Sequence, residues 1–235
     1  MGASTTGRPR IRAVLFDLGN TLVNNRDYDE MERVGRGLGL HTEAEAFAHT
    51  YPEVEAEYDA TGGAMGERDF WTSVLVRVHG GPVPAEKVRA FVERMAASVT
   101  PAQRFSDTQR CLDELKRRGR ALGVITNGRS EALTRQILER TGILRYFQVI
   151  VSAGTEGIAK PAPGIFHRAL ARLRVSASEA VYVGDLPNVD ARAARDAGLF
   201  AVWLHRDGTG FGDDPPEITS LTELPGFIRA LELGT

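Results

Sequence analysis

A short, wholly apolar run near the start of the chain stops abruptly at an acidic residue. Ala13–Phe16 is apolar, Asp17 follows it directly, and the polar segment GNT comes next at residues 19–21. A run of this length that ends in a turn is typical of a strand buried on both faces, as in a parallel sheet. Ligands of such sheets gather beyond the carboxyl ends of the strands, which would place Asp17 at the edge of a site. A carboxylate there could act as a nucleophile or a metal ligand, and the alternative is an aspartate that only initiates a turn.

Further apolar runs of the same kind occur later in the chain, and helical patterns separate them. The predicted strands are residues 121–125, 149–151, 180–183 and 201–204. Buried strands that alternate with helices predict an open parallel sheet with right-handed crossovers and helices on both faces. The predicted fold is therefore α/β, with a Rossmann-like parallel sheet core. After the fourth strand we expect a helix capped by Asn188, with Asp190 in its first turn.

The alternation of strands and helices is interrupted after the first strand by a long stretch of helical pattern. Apolar residues recur at three- and four-residue spacing in residues 28–38, 43–58, 68–78 and 86–97. Segments rich in glycine and proline separate these four patterns. We therefore predict an inserted, all-helical domain at residues 24–101, whereas residues 11–23 and 102–235 form the sheet domain.

Composition excludes several classes of protein. The net charge of −2 and the pI near 6.2 give no electrostatic reason to expect nucleic acid or an anionic membrane as a partner. No apolar segment approaches the roughly 20 residues needed to span a bilayer. Residues 1–10 lack the apolar core of a signal peptide, so we expect a disordered tail and a cytoplasmic protein. The single cysteine, Cys111, excludes an internal disulfide and is expected in the core. The oligomeric state is left open.

The polar residues near the ends of the predicted strands form one pattern. Asp17, Thr126, Lys160 and Asp185 each lie at or just after the carboxyl end of a different strand. Strand ends on one side of a parallel sheet share an edge, so we expect two carboxylates, a hydroxyl and an ammonium to meet there. The carboxylates suit Mg²⁺, and the hydroxyl and ammonium offer donors to an anion. These are the groups needed for phosphoryl transfer through an aspartyl-phosphate.

Each of these residues also has a plainer interpretation. Thr126 and Asp185 could be turn residues, and Lys160 could be a solvated lysine. An acid in the first turn of a helix, such as Asp190, is favoured by the helix dipole whatever its function. The chain contains only three lysines against 26 arginines, which favours a functional role for Lys160.

Four short motifs in this order resemble those of the haloacid dehalogenase-like (HAD) hydrolases. They are FDLGNT at residues 16–21, VITNG at 124–128, KPAPGIF at 160–166 and VGDLPNVD at 183–190. The predicted helical insertion follows the first motif, where members of this family carry a helical cap. The resemblance implies a hydrolase with a Rossmann-like core and such a cap.

The resemblance also implies which residues attack the substrate and hold the metal. Asp17 would be the nucleophile and a ligand of Mg²⁺. Asp185 would be a second ligand, and Asp190 would assist directly or through water. These assignments make Mg²⁺ the expected cofactor.

The same resemblance implies which residues bind the phosphate. The hydroxyl of Thr126 would bind a phosphate oxygen, helped by the amide of Asn127. Lys160 would bridge the nucleophile and the phosphoryl group. The expected substrate is a small phosphorylated metabolite.

The chain departs from the family pattern at Gly19. Most phosphatases of the family carry a second aspartate there, which protonates the leaving group and then deprotonates the attacking water. The backbone carbonyl of Gly19 can still ligate Mg²⁺, but the proton shuttle is missing, and the amide of Asn20 does not titrate usefully. General acid–base catalysis typically contributes ~10²–10⁴-fold to a rate.

Three functions are compatible with this departure. The first, which we favour, is a phosphomonoesterase that is slow, limited to good leaving groups, or supplied with an acid by Asp27, Asp29 or His41 of the helical insertion. The second is a 2-haloacid dehalogenase, whose leaving halide needs no proton. Asp185 argues against the dehalogenase, as does Thr126, where dehalogenases tend to carry serine. The third is a phosphate-binding protein with little turnover.

Overall fold

The chain divides into two compact units, one of which contains a sheet. The computed structural model describes residues 8–24, 26–61, 65–97, 102–206 and 215–234. The sheet unit is formed by Met1–Asn24 with Ala102–Thr235, and the helical unit by Asn25–Pro101. Most of the predicted disordered tail, residues 1–10, lies outside the described residues. The described residues 8–10 belong to no helix or strand.

The described part of the sheet unit is built on a parallel sheet of six strands. The sheet unit has eight described strands, of which two lie outside this sheet. In chain order they are β1 (Ala13–Phe16), β2 (Val23–Asn24), β3 (Gln103–Arg104), β4 (Ala121–Thr126), β5 (Val149–Ser152), β6 (Ala180–Gly184), β7 (Phe200–Leu204) and β8 (Glu217–Ile218). The order in the sheet is β5-β4-β1-β6-β7-β8, and β2 pairs separately with β3 in an antiparallel ladder. Because β1 is parallel to both β4 and β6, the residue that follows β1 leaves the sheet near the middle of its carboxyl edge.

The described residues of the helical unit contain four helices, joined by turns and loops, and no strand. The helices are α1 (Tyr28–Arg36), α2 (Ala44–Ala60), α3 (Glu67–His79) and α4 (Ala85–Ala97). Each corresponds to one of the four predicted helical patterns. Phe47 and Phe91 stack with ring centroids 5.9 Å apart in the core of this unit, and Val74 and Leu75 of α3 are fully buried beside them. No helix among the described residues combines the length and the apolar character that a membrane crossing requires.

Helices cover both faces of the sheet. Those of the sheet unit are α5 (Thr108–Arg117), α6 (Glu131–Arg140), α7 (Ala153–Glu156), α8 (Pro163–Leu173), α9 (Ala193–Asp196) and α10 (Leu224–Leu233). In β1, Val14 and Phe16 belong to a core shared with α5, α6 and α10, whereas Leu15 belongs to a second core shared with α8 and α9. Cys111 of α5 is buried in the first core, as expected. The predicted α/β fold, with a parallel sheet covered on both faces, is therefore confirmed.

The structure differs from the sequence prediction in several details. The two-residue strands β2, β3 and β8 are absent from the prediction, because segments so short have no periodicity to detect. The division between the units falls one residue later than predicted, since Asn24 pairs with Gln103 in the β2–β3 ladder. Asn188 does not cap a helix, because it lies inside the π-helical turn Pro187–Arg192 that precedes α9.

Candidate active site

Asp17 is the first residue beyond β1 and lies at the carboxyl edge of the sheet. Its backbone N–H donates to the carbonyl oxygen of Val183 (2.9 Å), which extends the pairing of β1 with β6 by one residue. Asp17 is only 8% exposed, and its Oδ1 lies 2.6 Å from Nζ of Lys160. The central strand therefore holds this carboxylate against a buried ammonium.

Lys160 lies between β5 and α8, where Asn127 fixes its backbone. The N–H of Lys160 donates to Oδ1 of Asn127 (2.7 Å), and Nδ2 of Asn127 donates to the carbonyl of Lys160 (3.0 Å). The lysine is 3% exposed, and its Nζ lies 2.6 Å from Oδ1 of Asp17 and 2.5 Å from Oδ1 of Asp190. Its third contact is the hydroxyl of Tyr182, at 3.0 Å. The ammonium thus joins two carboxylates that are far apart in the chain.

Asp190 is almost fully buried and is surrounded by hydrogen-bond donors. Its Oδ1 accepts a bond from the hydroxyl of Tyr182 (2.8 Å), and its Oδ2 accepts one from the N–H of Leu186 (3.2 Å). Gly184 leaves the space that this carboxylate occupies, since a Cβ at that position would lie 2.3 Å from Cγ of Asp190. The glycine that precedes Asp185 is therefore required by the packing of Asp190.

Asp185 follows β6 at a half-buried position and is linked to the loop that follows Asp17. Its Oδ2 accepts a hydrogen bond from Nδ2 of Asn20 (2.7 Å), and its carbonyl accepts one from Nε1 of Trp203 (2.8 Å). Asn20 has a φ of 53°, in the left-handed region that asparagine tolerates better than most residues. Gly19, between Asp17 and Asn20, is half-buried.

Arg206 holds the backbone of the same loop. Its guanidinium donates to the carbonyls of Asn20 (3.1 Å) and Thr21 (2.7 Å). It also donates to both oxygens of Asp107, at 3.0 and 3.2 Å. The charge-assisted, bidentate pair with Asp107 fixes the guanidinium of Arg206. The guanidinium in turn holds the loop through its backbone carbonyls, whose positions do not depend on side-chain rotation.

Thr126 ends β4 at the same edge of the sheet. It is buried, and its hydroxyl accepts a hydrogen bond from the N–H of Gly128 (3.1 Å). Accepting this bond leaves the proton of the hydroxyl to be donated elsewhere. Asn127 and Gly128 are half-buried, and the carbonyl of Gly128 accepts a bond from the N–H of Gly154 (3.1 Å).

Three of these carboxylates lie close enough together to hold a metal ion. Asp17, Asp185 and Asp190 each offer one oxygen, and the three oxygens lie within 4.8 Å of one another. Together with the ammonium of Lys160, three ionised carboxylates have a formal charge of −2. Oxygen donors with this charge suit a hard divalent cation such as Mg²⁺. The residues therefore fit the metal expected from the sequence.

The protonation of these groups reflects their burial and their neighbours. Burial raises the pKa of Asp17 to about 7; Lys160 opposes the rise, whereas Asp190 and Asp185 add to it. Burial alone would lower the pKa of Lys160, but Asp17, Asp190 and Tyr182 hold it well above its usual range. Burial and then the charge of Asp190 raise the pKa of Tyr182. At neutral pH Lys160 is therefore a cation and Tyr182 a neutral phenol, while Asp17, whose pKa is about 7 even beside Lys160, needs additional positive charge to be fully ionised.

The sequence prediction gives no supporting role in this site to Tyr182 or Asn20, nor to Arg206 and Asp107. Tyr182 lies in a predicted buried strand, where an aromatic ring is expected to be part of the core. The detectable signal is its hydroxyl, because a buried phenol needs a hydrogen-bond partner. Asn20 enters the sequence prediction only as a residue that cannot replace the missing acid. Its contact with Asp185 depends on a backbone conformation that the sequence does not specify.

Comparison with known proteins identifies the family. Residues 11–198 match the model of the haloacid dehalogenase-like hydrolases. The phosphoserine phosphatase of Thermus thermophilus is 32% identical over 222 residues, which cover 89% of this chain and 86% of that protein. Two crystal structures, a HAD phosphatase from Thermococcus onnurineus and a 2-haloacid dehalogenase from Pseudomonas syringae pv. tomato, each align with a TM-score of 0.62 and 27% identity, over 93% of this chain and 98% of theirs. This chain therefore belongs to the haloacid dehalogenase-like hydrolases.

Proposed function

We propose that this hydrolase is a Mg²⁺-dependent phosphomonoesterase that acts on small phosphorylated metabolites through an aspartyl-phosphate on Asp17. The observation that carries the proposal is the ammonium of Lys160, which lies 2.6 Å from Oδ1 of Asp17. A carboxylate and a phosphate repel each other, and a buried cation in contact with the attacking carboxylate offsets that repulsion. The activity named for the Thermus thermophilus relative supports the same chemistry.

The proposed reaction has two displacement steps at phosphorus. In the first, an oxygen of Asp17 forms a bond to phosphorus while the bond to the leaving oxygen breaks. In the second, the oxygen of water bonds to phosphorus while the bond between phosphorus and Asp17 breaks. One proton of the water stays on the inorganic phosphate, the other is released to solvent, and the carboxylate of Asp17 is restored. Bound Mg²⁺, held by Asp17, Asp185, Asp190 and the carbonyl of Gly19, would supply positive charge that offsets the charge of the phosphoryl oxygens.

The remaining donors at this edge of the sheet would bind the phosphoryl group. Thr126 would donate its hydroxyl proton to one phosphoryl oxygen. The side-chain amide of Asn127 is engaged by the backbone of Lys160, so its backbone N–H is the group proposed for the substrate. The ammonium of Lys160 would stay in contact with Asp17 and would also attract the negatively charged phosphoryl group.

Protonation of the leaving group is the step for which Gly19 offers no side chain. We propose that the enzyme favours good leaving groups or receives an acid from the helical unit, which we propose as the cap domain. Among the candidates, Asp27 is the least suited because its Oδ1 accepts the N–H of Glu30 (2.9 Å) as the N-cap of α1. Asp29 and His41 are exposed in the helical unit.

A second candidate function is that of a 2-haloacid dehalogenase. The likeness to the Pseudomonas syringae dehalogenase favours it, at the same identity and TM-score as the likeness to the phosphatase structure. Displacement of a halide from carbon needs no divalent cation. A dehalogenase would therefore have no use for a cation held by Asp17, Asp185 and Asp190. This cluster favours the phosphatase.

A panel of phosphate esters that includes an activated aryl phosphate, assayed with and without Mg²⁺, tests the proposal. We expect Mg²⁺-dependent release of phosphate that Asp17→Asn abolishes and that Asp196→Asn, a substitution at an exposed residue of α9, leaves unchanged. A folded, Mg²⁺-binding protein that hydrolyses none of the esters would favour a phosphate-binding protein. Halide release from a 2-haloalkanoate without added metal would favour the dehalogenase. The cytoplasmic location stays a prediction from the sequence.

A further inference from the structure

The ammonium of Lys160 has three protons, and the sheet unit supplies three acceptors for it. Two are Oδ1 of Asp17 at 2.6 Å and Oδ1 of Asp190 at 2.5 Å. The third is the hydroxyl oxygen of Tyr182, at 3.0 Å. The first two acceptors are carboxylates that compete for the same cation, and the third is neutral.

The hydroxyl of Tyr182 is hydrogen-bonded both to the ammonium and to one of the two competing carboxylates. It accepts a bond from Lys160 and donates its own proton to Oδ1 of Asp190, at 2.8 Å. The oxygen of Asp190 that binds the ammonium is therefore also bound by the phenol. Sharing this oxygen weakens the pull of Asp190 on the ammonium, which then stays in contact with Asp17.

The ring of Tyr182 is held rigidly enough to fix its hydroxyl. Tyr182 lies in β6, level with Leu15 of the central strand, and is fully buried. Its ring packs edge-on against Phe166 of α8, with centroids 5.1 Å apart and planes at 82°. Strand and helix together thus determine where the hydroxyl points.

We propose that Tyr182 is a positioning residue that holds the ammonium of Lys160 against Asp17 by engaging the competing carboxylate of Asp190. The inference rests on the proposed phosphatase function. Loss of the hydroxyl leaves Oδ1 of Asp190 with the ammonium as its only partner among these groups, so Lys160 stays bound to Asp190 and moves away from Asp17. The contact that Asp17 loses is the one needed as its oxygen attacks phosphorus. The groups proposed to bind the phosphate, Thr126 and the backbone N–H of Asn127, stay in place.

Tyr182→Phe removes only the hydroxyl, and Tyr146→Phe is a matched control. Tyr146 is also buried, and its hydroxyl donates to a carboxylate oxygen of Asp113 (2.6 Å) in another part of the sheet unit. Thermal unfolding shows what each lost hydroxyl does to stability. For Tyr182→Phe we expect kcat on an aryl phosphate to fall about 10–100-fold with KM within about threefold of wild type, as for an interaction used in the transition state. Tyr146→Phe should keep both constants.

Crystal structures of wild type and Tyr182→Phe provide a readout that does not need turnover. We expect Nζ of Lys160 to keep its contact with Asp190 and to lie beyond about 3.5 Å from Asp17 in the variant, outside hydrogen-bond range. An unchanged contact between Lys160 and Asp17 would overturn the positioning role even if no phosphate ester is a substrate. So would a wild-type kcat in Tyr182→Phe, or a rise in KM alone. An inactive wild-type protein whose variant shows the shifted ammonium would refute the phosphatase and not the role of Tyr182.

Discussion

Replacing Gly184 by alanine is expected to disable the site by displacing Asp190. A Cβ at Gly184 would lie 2.3 Å from Cγ of Asp190 and 2.5 Å from both its Cβ and its Oδ2. Rotation of the Asp190 side chain can move Cγ and Oδ2, but its Cβ is fixed to the backbone. The π-helical turn Pro187–Arg192 must therefore shift to accept the methyl group.

The expected loss of stability has two parts. Overpacking of a buried position costs about 1–3 kcal/mol. Displacement of the carboxylate also strains its bonds to Lys160, Tyr182 and the N–H of Leu186, and a hydrogen bond to a charged group contributes about 1.5–3 kcal/mol. Because a shifted carboxylate can keep some of these bonds, we expect Gly184→Ala to lower the free energy of unfolding by about 2–5 kcal/mol. The rate of phosphate release should fall at least ~10²-fold, since small displacements of reacting groups have effects of that size.

Gly123 in β4 offers a matched control for the overpacking. A Cβ there would lie 2.5 Å from Cγ1 of Val149 and 2.7 Å from Cδ2 of Leu15, so the clash is with apolar side chains and not with a carboxylate. Urea denaturation should show that both alanine variants are destabilised, while a phosphate-release assay should find the activity lost only in Gly184→Ala. If Gly184→Ala matched wild type within about 0.5 kcal/mol, the size of a neutral surface change, the close packing of Asp190 on Gly184 would be refuted.

Four further predictions follow from the site and its supports. Gly19→Asp restores a group that can shuttle the proton and should raise phosphatase activity; an unchanged or lower rate in steady-state assays would show that another group already does so. Lys160→Met removes the cation that lowers the pKa of Asp17, so that pKa should rise above about 7 and activity at neutral pH should fall at least ~10²-fold, which a pH–rate profile measures. Chelation of divalent ions with EDTA should abolish turnover, and added Mg²⁺ should restore it; full activity in EDTA would contradict the metal site. Burial alone would raise the pKa of Asp107, but its hydrogen bonds and the charge of Arg206 keep that pKa lowered, so its contribution to stability is present above the usual carboxyl pKa and is lost as the pH falls through the lowered value. Asp107→Asn should therefore lower the free energy of unfolding by about 1–3 kcal/mol at pH 7 and by less at pH 3, whereas an equal loss in urea titrations at both pH values would contradict this.

The sequence predicted those features of the fold that depend on local pattern. The four helical patterns at residues 28–38, 43–58, 68–78 and 86–97 each correspond to a helix of the structure, because apolar residues repeat at three- and four-residue spacing along each of them. The strand Ala13–Phe16 was likewise identified, since an unbroken apolar run ending at a polar residue has few other interpretations. The gathering of Asp17, Lys160 and Asp185 at one edge followed from the geometry of parallel sheets, because all three come after strand ends.

Contacts that depend on distant segments could not be predicted in this way. Periodicity shows that Tyr182 is buried but not that Lys160 and Asp190 are the partners of its hydroxyl. The same limit explains the error at Asn188, where a residue with a strong preference for helix caps lies inside a π-helical turn. The carboxylate of Asp190 binds the N–H of Leu186, and a local rule for helix starts takes no account of that bond. Side-chain hydrogen bonds across the sheet are therefore the part of the site that required the structure.

The two hydrogen bonds between Asn127 and the backbone of Lys160 affect the entropy change when substrate binds. The segment that carries the lysine is already ordered by a residue from the neighbouring motif, so the entropy of ordering it is lost when the protein folds and not when a phosphate arrives. We expect this part of the enzyme to meet each new substrate as a preformed surface, with no rearrangement of the lysine backbone in the catalytic cycle.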